Sequence, residues 1–144
     1  MALCTFFGHR DCPNNLYVPL RNKIEELILN CNVDLFYVGN NGNFDAMVKE
    51  ALKELKITYP SIQYYVVLAY MPTKADEYAQ GKSCDTLYPF GIENVPKRFT
   101  ISWRNKWMVK HSDFVIAYVK HSFGGAASFV DYTQKSGRSV IDLA

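Results

Sequence analysis

The 144-residue sequence has no apolar run near the ~20 residues that a membrane helix needs, which excludes such a helix. Its N-terminus passes straight into Leu3-Cys4-Thr5-Phe6-Phe7 with neither a basic region nor a small-residue cleavage site, so no signal peptide is expected. Charge of one sign is scarce. Sixteen Lys+Arg against fourteen Asp+Glu leave +2, with no Lys/Arg run, which disfavours nucleic acid and sets aside a membrane surface as partner. Cys4, Cys12, Cys31 and Cys84 include no CxxC pair and no disulfide-scaffold density, so reduced thiols and a cytoplasmic location are expected. His9-x-x-Cys12 has half a metal site's spacing but no second pair, so no metal or cofactor is expected. Neither GxGxxG nor GxxxxGK[ST] occurs, which disfavours the usual dinucleotide and NTPase loops. Repeats and low-complexity segments are absent as well.

What is present suits one globular domain over residues 1–144. Apolar residues make up 49% and charged residues 21%. A chain of this length buries roughly 68–70% of its unfolded surface without a covalent or metal staple.

Short apolar runs alternate with helical stretches. Residues 3–7, 34–38, 62–69, 114–119 and 139–143 read as strands, the first two ended by Gly8 and Gly39. Leu20, Ile24, Leu27, Ile28 and Cys31 have the spacing of a helix face, with Pro19 in its first turn. Asn43 is a candidate cap for a helix burying Phe44, Met47, Val48, Ala51, Leu52 and Leu55 and stopping before Pro60. Residues 99–111 and 125–136 read as two further helices, the last closed by Gly137. Residues 70–97 hold three of the six prolines and are too long for a plain connector, so a lid is expected, with a short strand near 86–88. Buried strands separated by amphipathic helices predict an α/β, Rossmann-like three-layer sandwich around a parallel sheet. Such sheets bind ligands beyond the carboxyl ends of their strands.

Three loops then share that edge. The first begins Gly8-His9-Arg10, the second runs Gly39-Asn40-Asn41-Gly42-Asn43-Phe44-Asp45, and the third is Lys120-His121-Ser122-Phe123-Gly124-Gly125-Ala126-Ala127-Ser128. A glycine pair opening a helix lets backbone N–H groups approach an anion, and Arg10 can add a bidentate phosphate contact. Each glycine also has a plainer reading as a strand end or tight turn. Trp103 and Trp107 share one helix face and read as core more readily than as a base-stacking platform. His111 lies near a helix C-terminus and needs no ligand, whereas His9 and His121 stand on site loops.

Arg104-Asn105-x-x-Met108-Val109-x-x-Ser112-Asp113-x-Val115-Ile116, followed by Gly124-Gly125-Ala126-Ala127, resembles the SLOG superfamily. That group includes the DprA/Smf proteins and the LOG-type phosphoribohydrolases. Gly8-His9-Arg10, Gly39-x-x-Gly42-x-x-Asp45 and Gly124-Gly125 are similar to its branch of small YpsA-like bacterial proteins. The resemblance covers essentially the whole chain. It implies a five-stranded sheet of order 3-2-1-4-5 and a nucleotide or nucleotide-derived phosphorylated ligand. The implied contacts are Gly8, His9, Arg10, Gly39, Asn40, Gly42, Asp45, Arg104, Asn105, His121, Gly124, Gly125 and Ala126.

In LOG enzymes an Arg and a PGGxGTxxE Glu carry N-glycosidic cleavage. The corresponding positions here are Arg104 and Asp131, with Phe123, Ala127 and Ser128 replacing the proline, a glycine and the threonine, and Asn105 replacing a Lys. Those departures favour a sensor or regulatory module that holds the ligand without chemistry. The alternative is a nucleotide N-glycosidic hydrolase with Asp131 activating water. A second alternative is a single-stranded DNA-processing accessory protein, which the weak net charge disfavours. A homo-oligomer is compatible with each reading.

Overall fold

Alternating strand and helix patterns build a sheet covered by helices on both faces in the computed structural model, which describes residues 2–8, 12–39, 42–68, 85–87, 89, 91–118 and 139–143. The strands are β1 (Ala2–Gly8), β2 (Val33–Val38), β3 (Gln63–Val67), β4 (Asp85–Leu87), β5 (Phe114–Tyr118) and β6 (Ser139–Asp142). The helices are α1 (Tyr17–Cys31), α2 (Gly42–Thr58) and α3 (Thr100–Lys110). Every strand pair is parallel, in the order β4-β3-β2-β1-β5-β6.

This is the expected order with one strand added. Among the described residues the sheet has six strands rather than five, because Asp85–Leu87 pairs with Tyr65–Val67 at the edge beside β3. Three residues give no hydrophobic period to read, and they lie inside the Pro- and Gly-rich stretch expected to be a lid. Residues 70–84, 88 and 90 of that stretch, and the helix expected over 125–136, lie outside the described residues.

Local chemistry sets the element ends. Pro19 sits in the first turn of α1, where its missing N–H costs little. Asn32 closes α1 in the left-handed region at φ 55°, its amide donating to the Leu27 carbonyl, a conformation that Asn tolerates. α2 opens one residue before the expected Asn43 cap, at Gly42, whose φ of 89° turns the chain into the helix.

The core divides by sheet face. Phe6, Phe36, Val38, Tyr64 and Ile116 meet Leu20, Ile24 and Leu27 of α1 and Phe44, Val48, Leu52 and Leu55 of α2. The opposite face packs Phe7, Val67 and Val115 against Met108 and Val109 of α3, with Tyr37 and Trp107 partly buried beside them. α3 therefore lies across the sheet from α1 and α2. Thr5, fully buried, donates its hydroxyl to the Tyr37 carbonyl at 2.8 Å. Among the described residues no helix is long and apolar enough to cross a membrane.

Candidate functional site

The carboxyl edge begins where β1 and β5 end side by side, with Gly8 paired to Tyr118. Strand order reverses here, since the chain steps from β1 to β2 on one side and reaches β5 on the other. The ring of Phe44, from the first turn of α2, fills the space a Gly8 side chain would take. It stacks on Tyr118 at 6.5 Å between centroids. The Gly8 backbone thus accommodates an aromatic floor under the switch point, and sequence reasoning had placed Phe44 only in the core.

One strand over, Gly39 follows β2 and is buried. A Cβ on it would stand 2.6 Å from Asp45 Oδ2 and 3.3 Å from Arg104 Nη2. Asp45 comes from α2 on one face and Arg104 from α3 on the other, so two oppositely charged groups from opposite layers meet over the end of β2. Both are sequestered: Asp45 is 9% exposed and Arg104 2%. Burial of that depth means that Arg104 is not an exposed helical cation. Arg104 donates from Nε and Nη2 to Asn105 Oδ1 at 3.1 and 3.0 Å, so the neighbouring amide fixes the guanidinium plane. A guanidinium held this way is pre-organised and loses little freedom on taking a further oxygen ligand. Buried charges of this kind are retained only where partners offset their desolvation.

Gly39, Gly42, Asp45, Arg104 and Asn105 thus lie at or near one end of β2, and Gly8 closes the adjacent strand. His9, Arg10, Asn40, His121, Gly124, Gly125, Ala126 and Asp131 lie outside the described residues. Trp107 sits 5.3 Å from Tyr37 and 4.2 Å from His111 between ring centroids. Its ring is part of the α3 packing, as its helix face suggested.

A second polar system runs along the seam between α1 and α2. The Tyr17 hydroxyl donates to Glu54 Oε2, Arg21 Nε pairs with Glu54 Oε1 at 2.9 Å, and Tyr59 donates to Glu25 Oε2 at 3.2 Å. Partial burial first, then the Glu54 carboxylate, push the Tyr17 phenol up to about 12. Hydrogen bonds from Tyr17 and then Arg21 draw Glu54 below its ordinary value.

No protein-family model matches the sequence, and no curated protein matches it. Among solved structures, DNA processing protein A (DprA) of Streptococcus pneumoniae is similar at TM-score 0.71 and 17% identity, over 99% of this chain and 50% of that one. DprA of Helicobacter pylori, whose structure describes a single-stranded DNA binding mode, is similar at TM-score 0.69 and 16% identity, over 98% and 64%. These likenesses establish a shared fold. The chain spans half the length of the first and less than two thirds of the second.

Proposed function

We propose that this chain is a SLOG-type domain, of the YpsA-like branch, that binds a nucleotide or nucleotide-derived phosphorylated ligand at the carboxyl edge of its sheet. The observation that carries the reading is the meeting of Asp45 and Arg104 over Gly39, from helices on opposite faces. Open parallel sheets bind ligands at that edge, and a fixed guanidinium is suited to phosphate oxygens. The departures Asn105 and Asp131 from the LOG pattern favour a sensor over a hydrolase. The test is incubation with nucleoside monophosphates, dinucleotides and cyclic nucleotides, followed by measurement of bound ligand and free base. Saturable binding without base release is expected. Released base would establish the hydrolase instead, and failure of every nucleotide to bind would refute the reading.

A second reading, single-stranded nucleic acid as the ligand, is favoured by one specific observation. Two of the similar folds are DNA processing protein A, and the structure of one describes its single-stranded DNA binding. Retention of an oligonucleotide where mononucleotides are not retained would select it.

A further inference from the structure

From Asn94 to Ser112 the sequence carries five Lys or Arg and no Asp or Glu, against a net +2 for the whole chain, so the remainder is net negative. Four of these five cations are exposed, on α3 or in the turn that leads into it, and the fifth, Arg104, is buried. Thr100, Arg104, Met108 and Val109 are the buried positions of α3, which leaves Lys106 and Lys110 exposed along its outer side. Lys97 and Arg98, both exposed, lie in the 3-10 turn that leads into the helix. Phe99, which precedes the first residue of α3, is 49% exposed. The Arg98 guanidinium lies 4.8 Å over the centroid of the Phe99 ring.

The direction of α3 places this surface. Arg104 reaches Gly39 at the carboxyl edge, Met108 touches Thr5 in mid-strand, and Asp113 beyond the helix bonds Leu3 near the start of β1. Lys97, Arg98 and Phe99 precede Arg104, so they lie toward the carboxyl edge, beside the proposed ligand site.

We infer that the outer face of α3, together with the exposed turn that precedes it, is a docking surface for single-stranded nucleic acid, with Lys97, Arg98, Lys106 and Lys110 offered to phosphates and Phe99 receiving an unstacked base. The inference rests on the second reading above and assigns it a surface separate from the Asp45–Arg104 junction. The charge argument suits any polyanion. The exposed ring among the cations selects a single strand, whose bases present free faces to stack, over a duplex or an acidic peptide.

The experiment uses fluorescence anisotropy with the full chain and a labelled oligothymidylate of about 12 nucleotides. Thymidine monophosphate, a duplex of equal length and polyglutamate serve as separate ligands. For K97E/R98E we expect strand affinity to fall at least about tenfold, and the slope of log affinity against log salt to shrink by about 1.4. K97Q/R98Q, without charge reversal, should give a smaller loss and the same slope change. F99A should weaken the strand by about tenfold with the slope unchanged. Binding of the monophosphate should be untouched in all three variants, each of which alters only exposed side chains. Wild-type protein that binds no strand, or variants that bind it unchanged, would overturn the inference. So would equal affinity for polyglutamate with no dependence on Phe99. Strand binding that these variants abolish, by a protein that binds no mononucleotide, would support this surface while refuting the nucleotide reading.

Discussion

The Phe44 ring stands where a Gly8 side chain would project, and so ties the end of the central strand to the first turn of α2. No rotamer of a larger residue at position 8 avoids that ring unless Phe44, 1% exposed, is displaced from the core.

Gly8→Ala should therefore destabilise the fold by about 1–3 kcal/mol, the usual cost of overpacking a well-filled site. Urea unfolding measures it as a lower midpoint with an unchanged slope. Gly8→Ala combined with Phe44→Leu should recover part of the loss, because the smaller side chain yields the space.

Arg104→Lys should bind nucleotide less well than wild type while remaining folded. An ammonium keeps the charge but lacks the planar fork whose two N–H groups converge on Asn105 Oδ1, so the cation is no longer fixed in one plane. Arg104→Ala should lose binding and also about 3–5 kcal/mol of stability, since it strips a buried cation from beside a buried carboxylate. Calorimetric titration separates the first effect, and denaturant unfolding the second.

The seam between α1 and α2 should make stability fall on the alkaline side. Tyr17 ionises near 10 in the unfolded chain and at about 12 in the folded one. A raised folded value gives stability that is complete below pH 10 and is lost as pH climbs toward 12. Tyr17→Phe should flatten that decline, measured as the urea midpoint from pH 8 upward. Glu54 is displaced the other way, so its contribution holds above its ordinary value and fades as pH falls through the lowered folded value.

Thiol reactivity should follow burial. Cys4 is fully buried, and desolvation pushes its thiol far up, whereas Cys12 and Cys31 are partly exposed. Alkylation of the native protein, read by mass spectrometry, should modify Cys12 and Cys31 well before Cys4. Early labelling of Cys4 would contradict the placement of β1 at the centre of the sheet.

Much of the fold was legible because most of its strands are long enough to show a period, and β1 and β2 meet a glycine at their ends. Val33–Val38 ends at Gly39, and α2 stops at Thr58 before Pro60, as the residues suggested. β4 was only a suggestion, since three residues paired at an edge carry little pattern of their own. Arg104 shows the limit at the site. Its position on the helix was readable, but burial at 2% depends on where α3 crosses the sheet, which no local spacing encodes. The charge of α3 misled in another way. A whole-chain sum of +2 conceals a stretch free of acids, because opposite charges elsewhere cancel it in the total but not on the surface.

The central position of β1 also orders events in time. Its partner β2 follows after one helix, pairing Ala2 with Val33, whereas its other partner β5 begins at Phe114. Closing the shorter loop costs less chain entropy, so the β1-α1-β2 unit is the natural nucleus and β5 joins late. During synthesis the N-terminal half emerges first, with Thr5 and Phe6 of β1 on an edge still open to another chain. The lock that ends this exposure is Asp113, whose amide donates to the Leu3 carbonyl at 2.8 Å while its carboxylate accepts from the Leu3 amide at 3.0 Å. A ribosome that stalls before Asp113 would thus release a half-sheet with a sticky flank, and the vulnerable interval of this protein's life is set by how quickly the second half arrives.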